Sequence, residues 1–198
     1  MKPVEDNLQA YLKCTSFIDY KHPNIMKLVQ QLDQESSTTL DYIKRCFEFV
    51  RDEIAHSWDV QDKRITIKAS DVLLEGVGVC LSKSNLLAAL LRAKRIPCGI
   101  CYQRLTIQDT PEKGYCIHAL NAFYYENRWI RMDARGNNES IHAALNLEEE
   151  VLAFQVRDAY GEVDYQEVYA EPLPRVMNPL ANARNMIDFY KFHMLQEL

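Results

Sequence analysis

Apolar residues along the first third of the chain recur at spacings of three and four. Ile25, Leu28, Val29 and Leu32 predict a helix over 23–32, and Ile43, Cys46, Phe47, Val50 and Ile54 predict a second over 39–54, each with one apolar stripe. Ser36 to Thr39 supply the break between them and the next N-cap. After a short stretch at 65–67, Ser70 and Asp71 can cap a brief helical turn that Gly76 and Gly78 interrupt. A longer, largely buried helix is predicted from Cys80 to Arg95, because Cys80, Ser84, Leu87 and Leu91 share one face and Leu86 and Leu90 widen it. Lys94 and Arg95 complement the dipole at its carboxyl end, and Pro97 stops it.

Beyond Pro97 the pattern becomes that of strands. Residues 98–107, 115–125 and 128–133 are rich in Ile, Tyr, Phe and Trp, and Glu126-Asn127 reads as a two-residue turn between the last two. Residues 134–170 mix loop, helix and short strand, 171–180 read as a proline-rich connection, and 182–198 read as a final helix. The expected fold class is therefore α+β, a single domain over 1–198 with N-terminal helices packed on an antiparallel sheet.

Composition narrows the function. A chain of 198 residues with 47% hydrophobic and 26% charged residues is ordinary globular protein. Its net charge of −5 is scattered, which argues against nucleic acid as a partner. The longest strongly apolar run, Leu86 to Leu91, is far short of the ~20 residues that span a bilayer, so no membrane association is expected. The amino terminus lacks the apolar core of a secretory signal, so a cytoplasmic location and six free thiols are expected.

One of those thiols sits where it can be activated. Cys80 opens the long helix, where unpaired N–H groups and the helix dipole favour a thiolate. Backbone N–H groups beside it, approached through Gly76 and Gly78, can receive an oxyanion, and the glycines leave the sulfur uncrowded. A two-residue turn at 126–127 pairs Tyr125 with Arg128 and sets Asp133 opposite Leu120, on the same face as His118 and diagonal to it. A carboxylate there fixes the imidazole and leaves its other nitrogen for a thiol proton. A three-residue turn would reverse the parity and leave Asp59 or Asp71 as partner. Cys116 shares the His118 face and is the rival nucleophile, and His56 in EIAHSWD is the rival histidine.

The run GVGVCLSKSNLLAALLRAKRIPCGICYQRL (76–105), followed by HALNAFYYENRWIRMDARGN (118–137), resembles the core of the transglutaminase-like superfamily, chiefly its small bacterial members. The resemblance covers about residues 64–137 and is weaker in the flanking helices. It implies a papain-like cysteine-protease (transglutaminase-core) fold with a central nucleophile helix. In that fold Cys80 would be the nucleophile, His118 the general base and acid, and Asp133 the orienting acid. It further implies acyl transfer on amide bonds of peptides or proteins through a thioester. Hydrolysis is expected over protein cross-linking, because 198 residues leave no room for the extra β domains of the large calcium-dependent enzymes and no DxDxDG loop is present. No cofactor or metal is expected. Gln103 and Trp58 are candidates for the second oxyanion donor, and Tyr102, Gln103, Arg104, Arg131 and Arg135 for a substrate groove.

Two competing interpretations have weaker support. Cys98-Gly99-Ile100-Cys101 is formally a C-x-x-C motif, but it begins a strand, where alternation sends the two sulfurs to opposite faces. A non-catalytic binding scaffold of the same fold has no need of all three of Cys80, His118 and Asp133.

Overall fold

The computed structural model describes residues 1–198. Strand β1 (Lys2–Pro3) precedes helices α1 (Pro23–Gln34) and α2 (Thr39–Glu48), which bury the expected stripes. Thr38 caps α2, its hydroxyl accepting the Asp41 N–H at 3.1 Å. The second helix is shorter than its sequence pattern: after Glu48 the chain widens into a π-turn at Phe49–Glu53, and Ile54 is already extended. The buried Lys83 amino group donates to the carbonyls of Arg51 and Ile54 at this end. Strand β2 (Ala55–His56) follows and pairs in parallel with β3 (Val77–Gly78), which lies beyond α3 (Ala69–Glu75).

Helix α4 (Cys80–Ala93) is the hub of the core and packs against β4 (Cys98–Thr106) and β5 (Tyr115–Tyr125) on one side and α1, α2 and α3 on the other. The main sheet runs β6-β5-β4-β7, where β6 is Arg128–Met132 and β7 is Val163–Asp164. Short β8 (Glu167–Val168) pairs with β1. Both residues of the 126–127 turn have left-handed backbone angles, and Tyr125 pairs with Arg128 as its two-residue length requires. Cys98 packs in the main core and Cys101 in a separate cluster with Tyr11 and Leu120, so their sulfurs lie on opposite faces as strand alternation demands.

The carboxyl-terminal region departs from its sequence pattern. Residues 171–180 are not simply a connection, because they hold most of helix α5 (Pro174–Asn182), in which Pro174 occupies the first turn. Val176, Met177 and Leu180 give it a buried stripe that outweighs the hydrogen bond missing at Pro179. Residues 182–198 are not one helix either. Ala183 is extended, and Asn185 caps a single turn, α6 (Met186–Asp188), which runs into a π-turn at Phe189–His193. The last residues are extended along β5, with the Leu195 carbonyl accepting the Ile117 N–H at 2.9 Å. No helix is long and apolar enough to cross a membrane.

Candidate active site

Helix α4, with Cys80 as its first residue, begins at a tight strand-to-helix passage. Gly76 ends α3 with φ +64°, a conformation that favours glycine. Gly78 serves a different purpose from the one its sequence position suggests: a Cβ there would lie 2.8 Å from Ser82 Oγ and 3.3 Å from Lys83 Cγ. It allows β3 to press against the first turn of α4 and does not clear space at the sulfur. Because His56 pairs with Gly78, the same contact draws the 55–58 segment alongside Cys80.

Across from that tip, the β5–β6 register brings His118 and Asp133 together, with Nε2 of the imidazole 2.8 Å from Oδ2 of the carboxylate. An ionised carboxylate only accepts, so Nε2 carries the proton and Nδ1 is left for Cys80. Asp133 is 1% exposed and also accepts the Arg135 N–H at 3.1 Å and the Ala153 N–H at 3.2 Å. Cys80 and His118 are 9% and 4% exposed.

The electrostatics separate Cys80 from the other buried thiols. Burial works against its thiolate, but the His118 charge, a hydrogen bond to His118 and one to the Ala119 backbone prevail and lower its pKa. Burial also opposes charge on His118, and Asp133 and Cys80 together outweigh it, so the imidazolium is favoured. The pair is poised as thiolate and imidazolium. In contrast, burial pushes the thiols of Cys46, Cys98 and Cys116 up to about 12. Cys101 is raised for the same reason.

Cys80 and His118 open on a cavity of about 810 Å³. Trp58, His56, Cys116 and Arg135 also line it. His56 stays neutral, because burial and the nearby Arg135 and Lys83 charges hold its pKa well below the usual imidazole range. Asp59 is taken by Arg135, which binds it through both terminal guanidinium nitrogens. Asp71 lies away from the imidazole and accepts the Lys68 N–H at the start of α3.

Other sequence candidates fall elsewhere. Gln103 is directly opposite His118 in the ladder, yet its amide donates to Asp164 and it does not line the cavity. Tyr102 is in the core, its hydroxyl accepting the Leu173 N–H. Arg104 is spent on the carbonyls of Gly161 and Gln196, and Arg131 pairs with Glu150 and Asp164. Of the five proposed groove residues only Arg135 lines the cavity: Tyr102 and Arg104 point to the sheet face opposite His118, and Gln103 and Arg131, on the His118 face, are held by Asp164. The cavity wall instead recruits residues that carried no signal in sequence: Phe154 from the long loop after β6, and Phe189, Tyr190 and Met194 from the carboxyl-terminal segment.

A family model and a solved structure agree with this architecture. No curated protein matches the sequence. A crystal structure of a candidate cysteine protease from Cytophaga hutchinsonii aligns with a TM-score of 0.54 and 18% identity over 67% of this chain and 43% of that one. The periplasmic domain of TgpA from Pseudomonas aeruginosa aligns with a TM-score of 0.48 and 17% identity over 64% of this chain and 46% of that one. This chain thus spans less than half the length of either structure. The core model of the transglutaminase-like superfamily matches residues 26–134, which extends the likeness back through α1 and α2. With more than half of its residues in that match, the chain belongs to the transglutaminase-like superfamily.

Proposed function

We propose that this protein is a cysteine-dependent acyl-transfer enzyme that cleaves amide bonds of peptides or proteins through a thioester, with water as the final acceptor. The observation that carries the proposal is the line from Cys80 at the tip of α4, through His118, to Asp133 at 2.8 Å. In the proposed reaction the Cys80 thiolate attacks the carbonyl carbon, the C–S bond forms and the carbonyl π pair moves onto oxygen. Collapse breaks the C–N bond, and the His118 imidazolium gives its proton to the departing amine. His118, now neutral, takes a proton from water as it attacks the thioester, and Cys80 leaves as thiolate. Asp133 keeps the ring oriented and stabilises its charge.

Water is favoured over a lysine amine because the carboxylates in the cavity wall are occupied. Asp109 and Glu162 are both paired with Arg157 and offer no free charge to receive an ammonium group. Six unpaired cysteines support a reducing compartment for the reaction. The test is incubation with a mixture of peptides followed by acid quench and intact-mass measurement. The expected result is a covalent acyl adduct on Cys80, absent from Cys80→Ala, with free acid as product. A cross-linked or amidated product would show the acceptor to be an amine, and no adduct under any condition would defeat the proposal.

A further inference from the structure

We infer that the Tyr190 hydroxyl is the side-chain donor of the oxyanion site that serves Cys80. Tyr190 takes that role only if Cys80 forms acyl-enzymes as proposed above. The residue sits on the π-turn at 189–193, in the cavity wall that also holds Cys80. Its ring is held between Trp58, with centroids 4.7 Å apart, and Phe189, at 5.7 Å. Its hydroxyl is buried at the cavity wall in the free protein and has no hydrogen-bond partner. A buried O–H left without an acceptor costs about 1–3 kcal/mol, so folded proteins leave few of them.

The missing acceptor is one that the reaction creates. Attack by the thiolate turns the substrate carbonyl oxygen into an oxyanion, and collapse of the intermediate removes it again. A donor that is idle in the free enzyme and engaged only at that stage stabilises the transition state more than the ground state. Burial, with the Cys80 charge nearby, keeps the phenol well above its usual pKa, so it remains an O–H donor wherever the thiolate is formed. The Cys80 N–H, at the first position of α4 and without an intrahelical acceptor, supplies the other donor. Neither sequence candidate fills the place as well. The Gln103 amide is bound to Asp164 outside the cavity, and Trp58 is 43% exposed with its ring packed against Tyr190 as a support.

The test compares two reactions of the full chain at Cys80. Acylation by p-nitrophenyl acetate passes through an oxyanion, whereas alkylation by iodoacetamide displaces iodide at a methylene carbon and builds none. Tyr190→Phe keeps the ring and its stacking, and should slow acylation on the order of 100-fold while leaving alkylation and its pH profile unchanged. The retained alkylation also reports that the site is folded. In the unsubstituted protein, a peptide aldehyde trapped on Cys80 as a hemithioacetal should move the Tyr190 hydroxyl proton downfield. Acylation of Tyr190→Phe at the wild-type rate, equal loss of both reactions, or an unmoved hydroxyl resonance overturns the assignment. So does a selective loss of acylation in Trp58→Phe that Tyr190→Phe does not share. A wild-type protein that is alkylated but never acylated overturns the acyl-transfer proposal itself, and the role of Tyr190 falls with it.

Discussion

His118 Nε2 and Asp133 Oδ2 lie 2.8 Å apart although Asp133 is the first residue beyond the β5–β6 ladder. The carboxylate is held in place by the Arg135 and Ala153 N–H groups as well as by the imidazole. Asp133→Asn keeps the shape, but an amide cannot accept from all three donors and must turn its NH2 toward one of them. From sequence alone the substitution looks neutral for folding. The carboxylate cage instead predicts a stability loss of about 1–3 kcal/mol. Turnover should fall as well, by less than the ~10⁴ that the equivalent change costs in a serine protease, a known reference case, because a thiol ionises more readily than a hydroxyl. Thermal melts and acylation kinetics on the same preparation check both, and unchanged values would mean that Asp133 does not orient His118.

The thiolate–imidazolium pair predicts the order of cysteine modification. A lowered Cys80 pKa means that its alkylation should persist on the acid side of the ordinary thiol range. Cys46, Cys98 and Cys116, each pushed up to about 12, should stay unlabelled at neutral pH in the folded protein. Site-resolved mass spectrometry of iodoacetamide labelling between pH 5 and 9 measures this (~pH values bracketing the free imidazole and thiol pKa). Faster labelling of Cys116 than of Cys80 would transfer the nucleophile to β5.

Gly78→Ala should lower stability by about 1–3 kcal/mol and slow Cys80 alkylation, since the added methyl group meets Ser82 Oγ at 2.8 Å and must push the tip of α4 away from β3. Adding Ser82→Ala removes that nearest atom and should restore part of both. A double variant no better than the single would place the strain elsewhere.

Lys83 predicts a pH-dependent stability of known sign. Burial, reinforced by the Arg135 charge and opposed by Asp133, Asp59 and Asp52, lowers its pKa from 10.5 to about 7. Between those values the unfolded chain binds a proton that the folded one does not, so stability contributed at this site rises with pH from about 7 to 10.5. The difference in Tm between wild type and Lys83→Met should therefore move in favour of wild type over that window. A difference that stays constant with pH would show that Lys83 is buried with its charge intact.

Local pattern made much of the molecule legible. The stripes of α1, α2 and α4, the two-residue turn at 126–127 and the alternation of β5 are properties of short stretches, and a known turn length sets which residues face each other. His118 and Asp133 could be paired from that register alone, and Cys80 could be placed at a helix tip because the glycines and the apolar face locate where α4 begins. The true purpose of Gly78 was not legible, because what it accommodates is the Ser82 side chain packed against it across a bend. The carboxyl-terminal segment departs from its sequence pattern for a related reason. Its apolar residues have helical spacing, but Phe189, Tyr190 and Met194 are drawn to the cavity and Leu195 to an unpaired N–H of β5, and these long-range contacts outweigh helix propensity in so short a piece. The sequence by itself determined the family, the core helices, the position of Cys80 at a helix tip and the pairing of His118 with Asp133. Only the tertiary structure decided what surrounds them, because residues far apart in the chain form the cavity wall, where the His118 charge prevails over burial at the Cys80 thiol and the Tyr190 hydroxyl is left without a partner.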